Sequence, residues 1–281
     1  MQINNGVHGK TLLQGFWSGK EHGSKWHYQQ LQDVKLPQAP FRGNIDLMVK
    51  DNGYGQFCPV SRAAEILAER WTPLVVRELL CGSVRFNDIQ RGVPRMSSAL
   101  LSRRLKELEH SGIVAHRLAA KGRGGEYHLT EAGKALHPIL DGMGLWAQRW
   151  VRHDLTLDKN LDPDLLMWDI RRRVLAGNTQ VDKRFVVLFQ FSGVPVNRRR
   201  FWLVFDRDDI DICMKDPGHE VDLSVSAHVR ILIQIWLGHI SIAEATRDQK
   251  ITFDGKSRDI KAFASWFVLS KTAKFAQNPP G

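Results

Sequence analysis

The segment from Pro59 to Thr130 restricts the fold of this chain more than any other feature. Pro59 suits a first helical position, and Ala63, Ile66 and Leu67 share one face of a helix expected over 59–70. Thr72 and Pro73 open a second helix, with Leu74, Val75, Leu79 and Leu80 as its core positions and Gly82 as its stop. A short helix over 86–90 follows. Gly92 and Pro94 then break the chain, and Ser97 or Ser98 caps a longer helix that ends at Gly112. Its Leu101, Leu105 and Leu108 recur at spacings of four and three, the period of one buried helical face. Strands over 113–118 and 126–129 flank a glycine-rich turn at 121–125.

Charge is concentrated in the same place. Residues 85–123 hold nine Lys or Arg against three acids, in a chain whose net charge is +10. Helices followed by a two-stranded wing are the order of a winged helix-turn-helix. The second helix of that motif enters the DNA major groove, about 12 Å wide. Burying the three leucines turns Ser98, Ser102, Arg103 and Lys106 outward, with Arg95 and Ser97 beside them at the break. Arg103 offers a bidentate fork to guanine, Ser98 and Ser102 bond bases or phosphate, and Lys106 suits a phosphate. Lys121 and Arg123 at the hairpin tip could reach along the backbone or into the minor groove. Charges on a single helix more often only solvate it, but a capped basic helix and a basic wing in order favour double-stranded DNA.

The blocks Gly55-Gln56-Phe57-Cys58-Pro59-Val60, Ala64-Glu65-Ile66-Leu67, Glu69-Arg70-Trp71-Thr72, Arg77-Glu78-Leu79-Leu80, Arg85-Phe86-Asn87-Asp88-Ile89, residues 100–108 and Tyr127-His128-Leu129-Thr130-Glu131-Ala132-Gly133 follow one another in this region. Together they resemble HxlR-type winged-helix regulators, relatives of the MarR group. The resemblance covers about residues 54–150. It implies a homodimeric bacterial transcription factor on an inverted-repeat operator. It also places Cys58 where some such regulators carry a redox-sensing thiol, at a helix N-terminus that favours thiolate; an inert, buried cysteine is the other reading. Cys81 and Cys213 lie in apolar contexts and are expected in the core.

The helix expected after Thr130 carries a heptad-like stripe, with Leu136, Met143 and Trp150 seven apart and Ile139 and Trp146 between them. Such a stripe fits a partner helix in a homodimer, or the protein's own second domain. Four regions follow from these patterns: a poorly structured extension over 1–47, a DNA-binding and dimerisation domain over 48–150, a linker over 151–162 and a second domain over 163–277. Met48 stands just before the first well-patterned helix, so one reading makes it the true start.

In the second domain, Asp162 and Pro163 start a helix whose Leu166, Ile170 and Val174 form a buried stripe up to Gly177. Strands are expected over 184–192, 200–206, 210–214 and 250–253, and helices over 227–236, 241–247 and 257–270. Both faces of the first strand are apolar, Phe185, Val187, Phe189 and Phe191 on one side and Val186 and Leu188 on the other, so cover on both sides is expected. Residues 235–245, the Ile251-Thr252-Phe253-Asp254-Gly255 segment and the closing helix resemble the end of a sterol-carrier-protein-type domain. That resemblance implies an apolar tunnel holding a lipid or similar effector. Phe201, Leu203, Ile235, Trp236, Phe263 and Phe267 are the candidate lining, and ordinary core is the alternative.

The fold class is therefore α+β: a winged helix-turn-helix followed by a sterol-carrier-like domain whose mostly antiparallel sheet is covered by helices. Catalysis has little support, since His219, His228 and His239 are not spaced with acids or cysteines as a metal site or triad requires. Asp206, Asp208, Asp209 and Asp211 crowd a strand turn, where acids are usually only solvated. No enzyme activity, cofactor or resident metal is expected. The three scattered cysteines and the absence of a run of about 18 apolar residues point to a cytoplasmic protein without a membrane span. A homodimeric repressor of operator DNA, modulated by an apolar or amphipathic ligand, is the reading. Its rivals are a lipid or acyl carrier with a basic surface-binding module and a thiol sensor through Cys58.

Overall fold

A computed structural model describes residues 53–118, 124–176, 183–207 and 209–276. The extension over 1–47, Met48, the wing tip with Lys121 and Arg123, and Asp208 lie outside the described residues. The amino-terminal half runs α1 (Pro59–Leu67), α2 (Thr72–Leu80), α3 (Phe86–Gly92), α4 (Ser98–His110), the hairpin β1 (Val114–Leu118) and β2 (Gly125–Leu129), then α5 (Glu131–Lys134) and α6 (His137–Trp150). Val75, Val76, Ile89, Leu101, Leu105 and Leu108 form its core, with Ile113 and Val114 closing it from the wing. The expected face of α2 is rotated: Leu74 is exposed and Val76 is fully buried, because both flanks of this helix are apolar and its packing against α3, α4 and β2 decides the face. Ala63 of α1 is likewise exposed, and Ile66 supplies that helix's contact with the core.

The expected single helix after Thr130 is two helices. Thr130 caps α5 by accepting from the Gly133 amide at 3.2 Å. The chain then turns at Leu136, and Pro138 stands at the start of α6, where its missing amide costs no helical bond.

The carboxy-terminal half continues with α7 (Pro163–Ala176), β3 (Phe185–Ser192), β4 (Arg200–Asp206), β5 (Asp209–Cys213), β6 (Leu223–His228), α8 (Val229–Trp236), α9 (Ile242–Arg247), β7 (Ile251–Gly255) and α10 (Ser257–Trp266). Among the described residues five strands make one sheet in the order β5-β4-β3-β6-β7, antiparallel except for the parallel β3–β6 pair. β6 falls where no strand is expected from sequence. Its Leu223, Val225 and Ala227 enter the core while Ser224 and Ser226 face away, and Ser226 donates to Gln190 of β3 at 2.9 Å.

Helices lie against one face of this sheet, where Met167, Ile170 and Val174 of α7, Leu232 and Ile235 of α8, and Phe263 pack on Val187, Phe189 and Leu203. The other face is buried as well, as its apolar residues lead one to expect: Val186, Trp202 and Val204 form a smaller cluster with Leu188, Cys213 and Val221, none of them helical. α10 also stops earlier than expected, with Phe267 leaving the helix to enter the core.

The two halves are joined through buried polar contacts. Glu78 of α2 is fully buried and receives Arg77 of its own helix at 2.6 Å and Arg172 of α7, which also pairs with Asp169. Burial works against the charge of Arg172, but Asp169 and Glu78 beside it more than offset this and raise its pKa; burial raises the pKa of Asp169. The guanidinium groups of Arg91 and Arg171 each lie over the Trp168 ring of α7, 5.4 Å from its centroid. The backbone of α3 comes so close to the Glu78 carboxylate that only glycine fits at Gly92. At the other contact, Gln148 of α6 donates to the Leu237 carbonyl at 3.2 Å and its Oε1 accepts from His239 at 2.8 Å. Gly238, with φ of 74°, lets the chain turn there against Ala273. Among the described residues no helix is long and apolar enough to cross a membrane.

Candidate nucleic-acid interface

The outer face of α4 follows from its inner one. Leu101 and Leu105 are fully buried and Leu108 nearly so, which leaves Ser98, Arg103 and Lys106 exposed and Ser102 half-buried. Ser97 caps the helix by accepting from the Leu100 amide at 3.3 Å, so its hydroxyl serves the helix N-terminus. Among the described residues neither Arg103 nor Lys106 has an ion-pair partner, and both side chains stand in solvent. Arg104, between them in sequence, points inward to Glu107 at 2.5 Å and Glu69 at 3.3 Å. The outer face is therefore cationic and hydroxylated, and its inward arginine is neutralised.

Arg95 is held by its own chain. Its Nη2 donates to the Lys159 carbonyl at 3.0 Å and its Nε lies 3.9 Å from Asp162. Lys121 and Arg123 lie outside the described residues. Arg117 on β1 is exposed and was not singled out in the sequence, where an isolated arginine between His116 and Leu118 gives no pattern. The wing is anchored at its base: the Tyr127 amide donates to the Val84 carbonyl at 2.8 Å, and Tyr127 stacks on His116 with ring centroids 4.5 Å apart.

Ile139, Met143, Trp146 and Trp150 lie on the exposed side of α6, with 45 to 59% of each residue accessible, while Leu136 packs on the amino-terminal core. The opposite side of α6, with Gln148, meets the carboxy-terminal half. The apolar stripe is thus uncovered by the described part of the chain. Cys58 sits at the N-cap of α1 and is half-buried. Phe201, Leu203, Ile235, Trp236, Phe263 and Phe267 are brought together, all within the sheet-facing core; Phe263 stacks on Phe267 at 5.0 Å and Trp236 meets Phe267 edge-on at 6.1 Å. Among the described residues no group of three or more His, Cys, Asp or Glu is placed to hold a metal ion.

Residues 66–155 match the model of the HxlR-like helix-turn-helix family. The uncharacterized HTH-type transcriptional regulator YvaP of Bacillus subtilis (strain 168) is 43% identical over 98 residues, which are 34% of this chain and 91% of that relative. The chain belongs to the HxlR-like helix-turn-helix family. As an HxlR-type regulator it is also similar to the HTH-type transcriptional regulator YodB of the same organism, 35% identical over 95 residues that cover 33% of this chain and 85% of YodB. A structure of the reduced form of YodB is 34% identical, covers 34% of this chain and 95% of that one, and has a TM-score of 0.31. The matched segment of this HxlR-type regulator holds α2 to α6, and so the whole outer face of α4.

Proposed function

We propose that the protein binds double-stranded operator DNA as a homodimer, with α4 in the major groove and the β1–β2 wing along the backbone, and that it acts as a cytoplasmic repressor, not an enzyme. One observation carries the reading. Ser98, Ser102, Arg103 and Lys106 stand together on the free face of a helix whose other face is locked by three buried leucines. The uncovered stripe of α6 supports the dimer, because two copies would bury Met143, Trp146 and Trp150 against each other and join two half-sites in one binding event.

The carboxy-terminal half is the regulatory module in this reading. α7 has two working sides: Met167, Ile170 and Val174 sit in the sheet-facing core, while Trp168, Asp169 and Arg172 grip α2 and α3. An apolar effector lodged between sheet and helices, as the sterol-carrier resemblance implies, would shift α7 and with it α3, which precedes the DNA-facing helix. To act as a switch the effector must bind one arrangement better, and about 1 to 3 kcal/mol of coupling is usual.

Replacing Ser102 and Arg103 by alanine tests the reading. Loss of sequence preference on selected duplexes supports it, since a bidentate base contact contributes about 1 to 3 kcal/mol of discrimination. Unchanged duplex binding together with lost binding to anionic liposomes would instead favour a lipid carrier with a basic surface module.

A further inference from the structure

The segment over 158–164 ties the carboxy-terminal half to the turn that leads into α4. Arg95, just ahead of α4, donates to the Lys159 carbonyl at 3.0 Å and lies 3.9 Å from Asp162. Asp164 pairs with Arg198 of the β3–β4 turn, and Asp158 pairs with Arg230 in the first turn of α8. Asp162 and Asp164 are two residues apart, at most about 7 Å of chain, so Arg95 and Arg198 are held against neighbouring acids. The strand register agrees. Ser192 at the end of β3 lies opposite His228 at the end of β6, which puts the β3–β4 turn and the start of α8 at one end of the sheet. At the far end of α8, about 12 Å away, the Leu237 carbonyl accepts from Gln148 of α6. The β3–β4 turn therefore stands on the α4 side of the carboxy-terminal half, away from its contact with α6.

The charge there is unbalanced. Each acid over 158–164 faces an arginine: Asp158 faces Arg230, Asp162 faces Arg95 and Asp164 faces Arg198. Lys159, Arg199 and Arg200 are left over, all exposed and, among the described residues, without an ion-pair partner. Unpaired like charges crowded on one surface repel one another and attract a polyanion. Duplex DNA presents one phosphate charge per about 1.7 Å of its axis. We propose that Lys159, Arg199 and Arg200 form a phosphate-binding ridge by which the carboxy-terminal half grips the DNA backbone beside the α4 turn, extending the duplex contact beyond the winged helix. Phosphate contacts position a protein without reading sequence. The ridge thus adds affinity and salt dependence, while Ser102 and Arg103 keep the choice of sequence. This inference rests on the DNA-binding reading.

Fluorescence anisotropy on the full chain tests the ridge with two duplexes of about 40 bp, one selected by the native chain from a random pool and one of mixed sequence. Arg199→Gln, Arg200→Gln should weaken both by the same factor, about fivefold or more near 100 mM salt. Its slope of log affinity against log salt should be shallower by about two, one for each lost phosphate contact, and that of Lys159→Gln by about one. Arg199→Lys, Arg200→Lys should keep the native slope, since phosphate accepts from either cation. Lys183→Gln, Lys256→Gln removes the same charge just before β3 and just after β7, at the opposite end of the sheet, and should bind like the native chain. The ridge is overturned if the glutamine pair binds like the native chain, if the opposite-end pair or the lysine pair loses as much, or if the loss falls on the selected duplex alone. Unchanged duplex binding with lost binding to vesicles of about one-third phosphatidylserine would overturn it in favour of an anionic membrane surface, to which the exposed Val196 and Met214 near Arg198 would add apolar contact. A native chain that binds neither duplex refutes the DNA-binding reading itself, a result read from the native titration alone.

Discussion

The contact between α6 and the carboxy-terminal half should weaken on mild acidification, and His239 sets the size of the effect. Burial, and then the neighbouring Arg152, lower its pKa from 6.5 to about 4. Its ring bonds Gln148 at 2.8 Å, and Arg152 donates to the His239 carbonyl at 3.3 Å. A depressed base is neutral in the folded chain while the unfolded chain still takes up a proton. Its stabilisation is therefore complete above pH 6.5 and is lost as pH falls toward 4. Full titration over that window amounts to about 3 kcal/mol, and between about pH 7 and 5 to roughly 1 to 2 after allowance for partial exposure. Asp169 opposes this: its raised pKa gives stability that is present at low pH and lost as pH rises through its folded value. Comparison with His239→Gln removes that background. Urea unfolding at the two pH values should show the native chain's advantage over the variant shrinking by about 1 to 2 kcal/mol in acid. An advantage independent of pH would refute the assignment.

The other expected outcomes concern the joint between the halves and the dimer. Arg172→Gln leaves Glu78 and Asp169 short of a cation and should cost about 3 to 5 kcal/mol in urea unfolding, with a smaller loss at low pH as Asp169 protonates. Gly92→Ala places a methyl in the Glu78 carboxylate and should cost about 1 to 3 kcal/mol; an unchanged stability would show that the α2–α3 contact is looser than described. Replacing both Met143 and Trp146 by glutamate should give a monomer in analytical ultracentrifugation with its thermal transition retained, since both side chains are exposed within one chain.

The α4 region was legible because independent signals coincided there: a break at Gly92 and Pro94, a serine cap, and leucines at helical spacing. α2 was legible as a helix but not in its rotation, because Leu74, Val75 and Val76 are all apolar and only the packed neighbours choose between them. β6 carries the period-two alternation of a strand in Leu223-Ser224-Val225-Ser226-Ala227, but over only these few residues, and it gains its place from pairing with β3, far away in sequence. Pro138 marked the break between α5 and α6 and outweighs the heptad spacing across it. The link between Glu78 and Arg172 spans 94 residues and left one local sign, a charged pair set inside the apolar run of α2. The stacked position of Trp168 left none.

The outward face of α4 as a reader of duplex DNA is tested most directly by fluorescence anisotropy across a salt series. Native chain and the Ser102→Ala, Arg103→Ala double variant are titrated with the same labelled duplex from about 50 to 200 mM salt. The native chain should bind with log affinity falling steeply and linearly against log salt, as displaced counterions require, and the variant should bind more weakly with a shallower slope. Native affinity that is indifferent to salt, or a variant that matches the native chain throughout, would contradict the account.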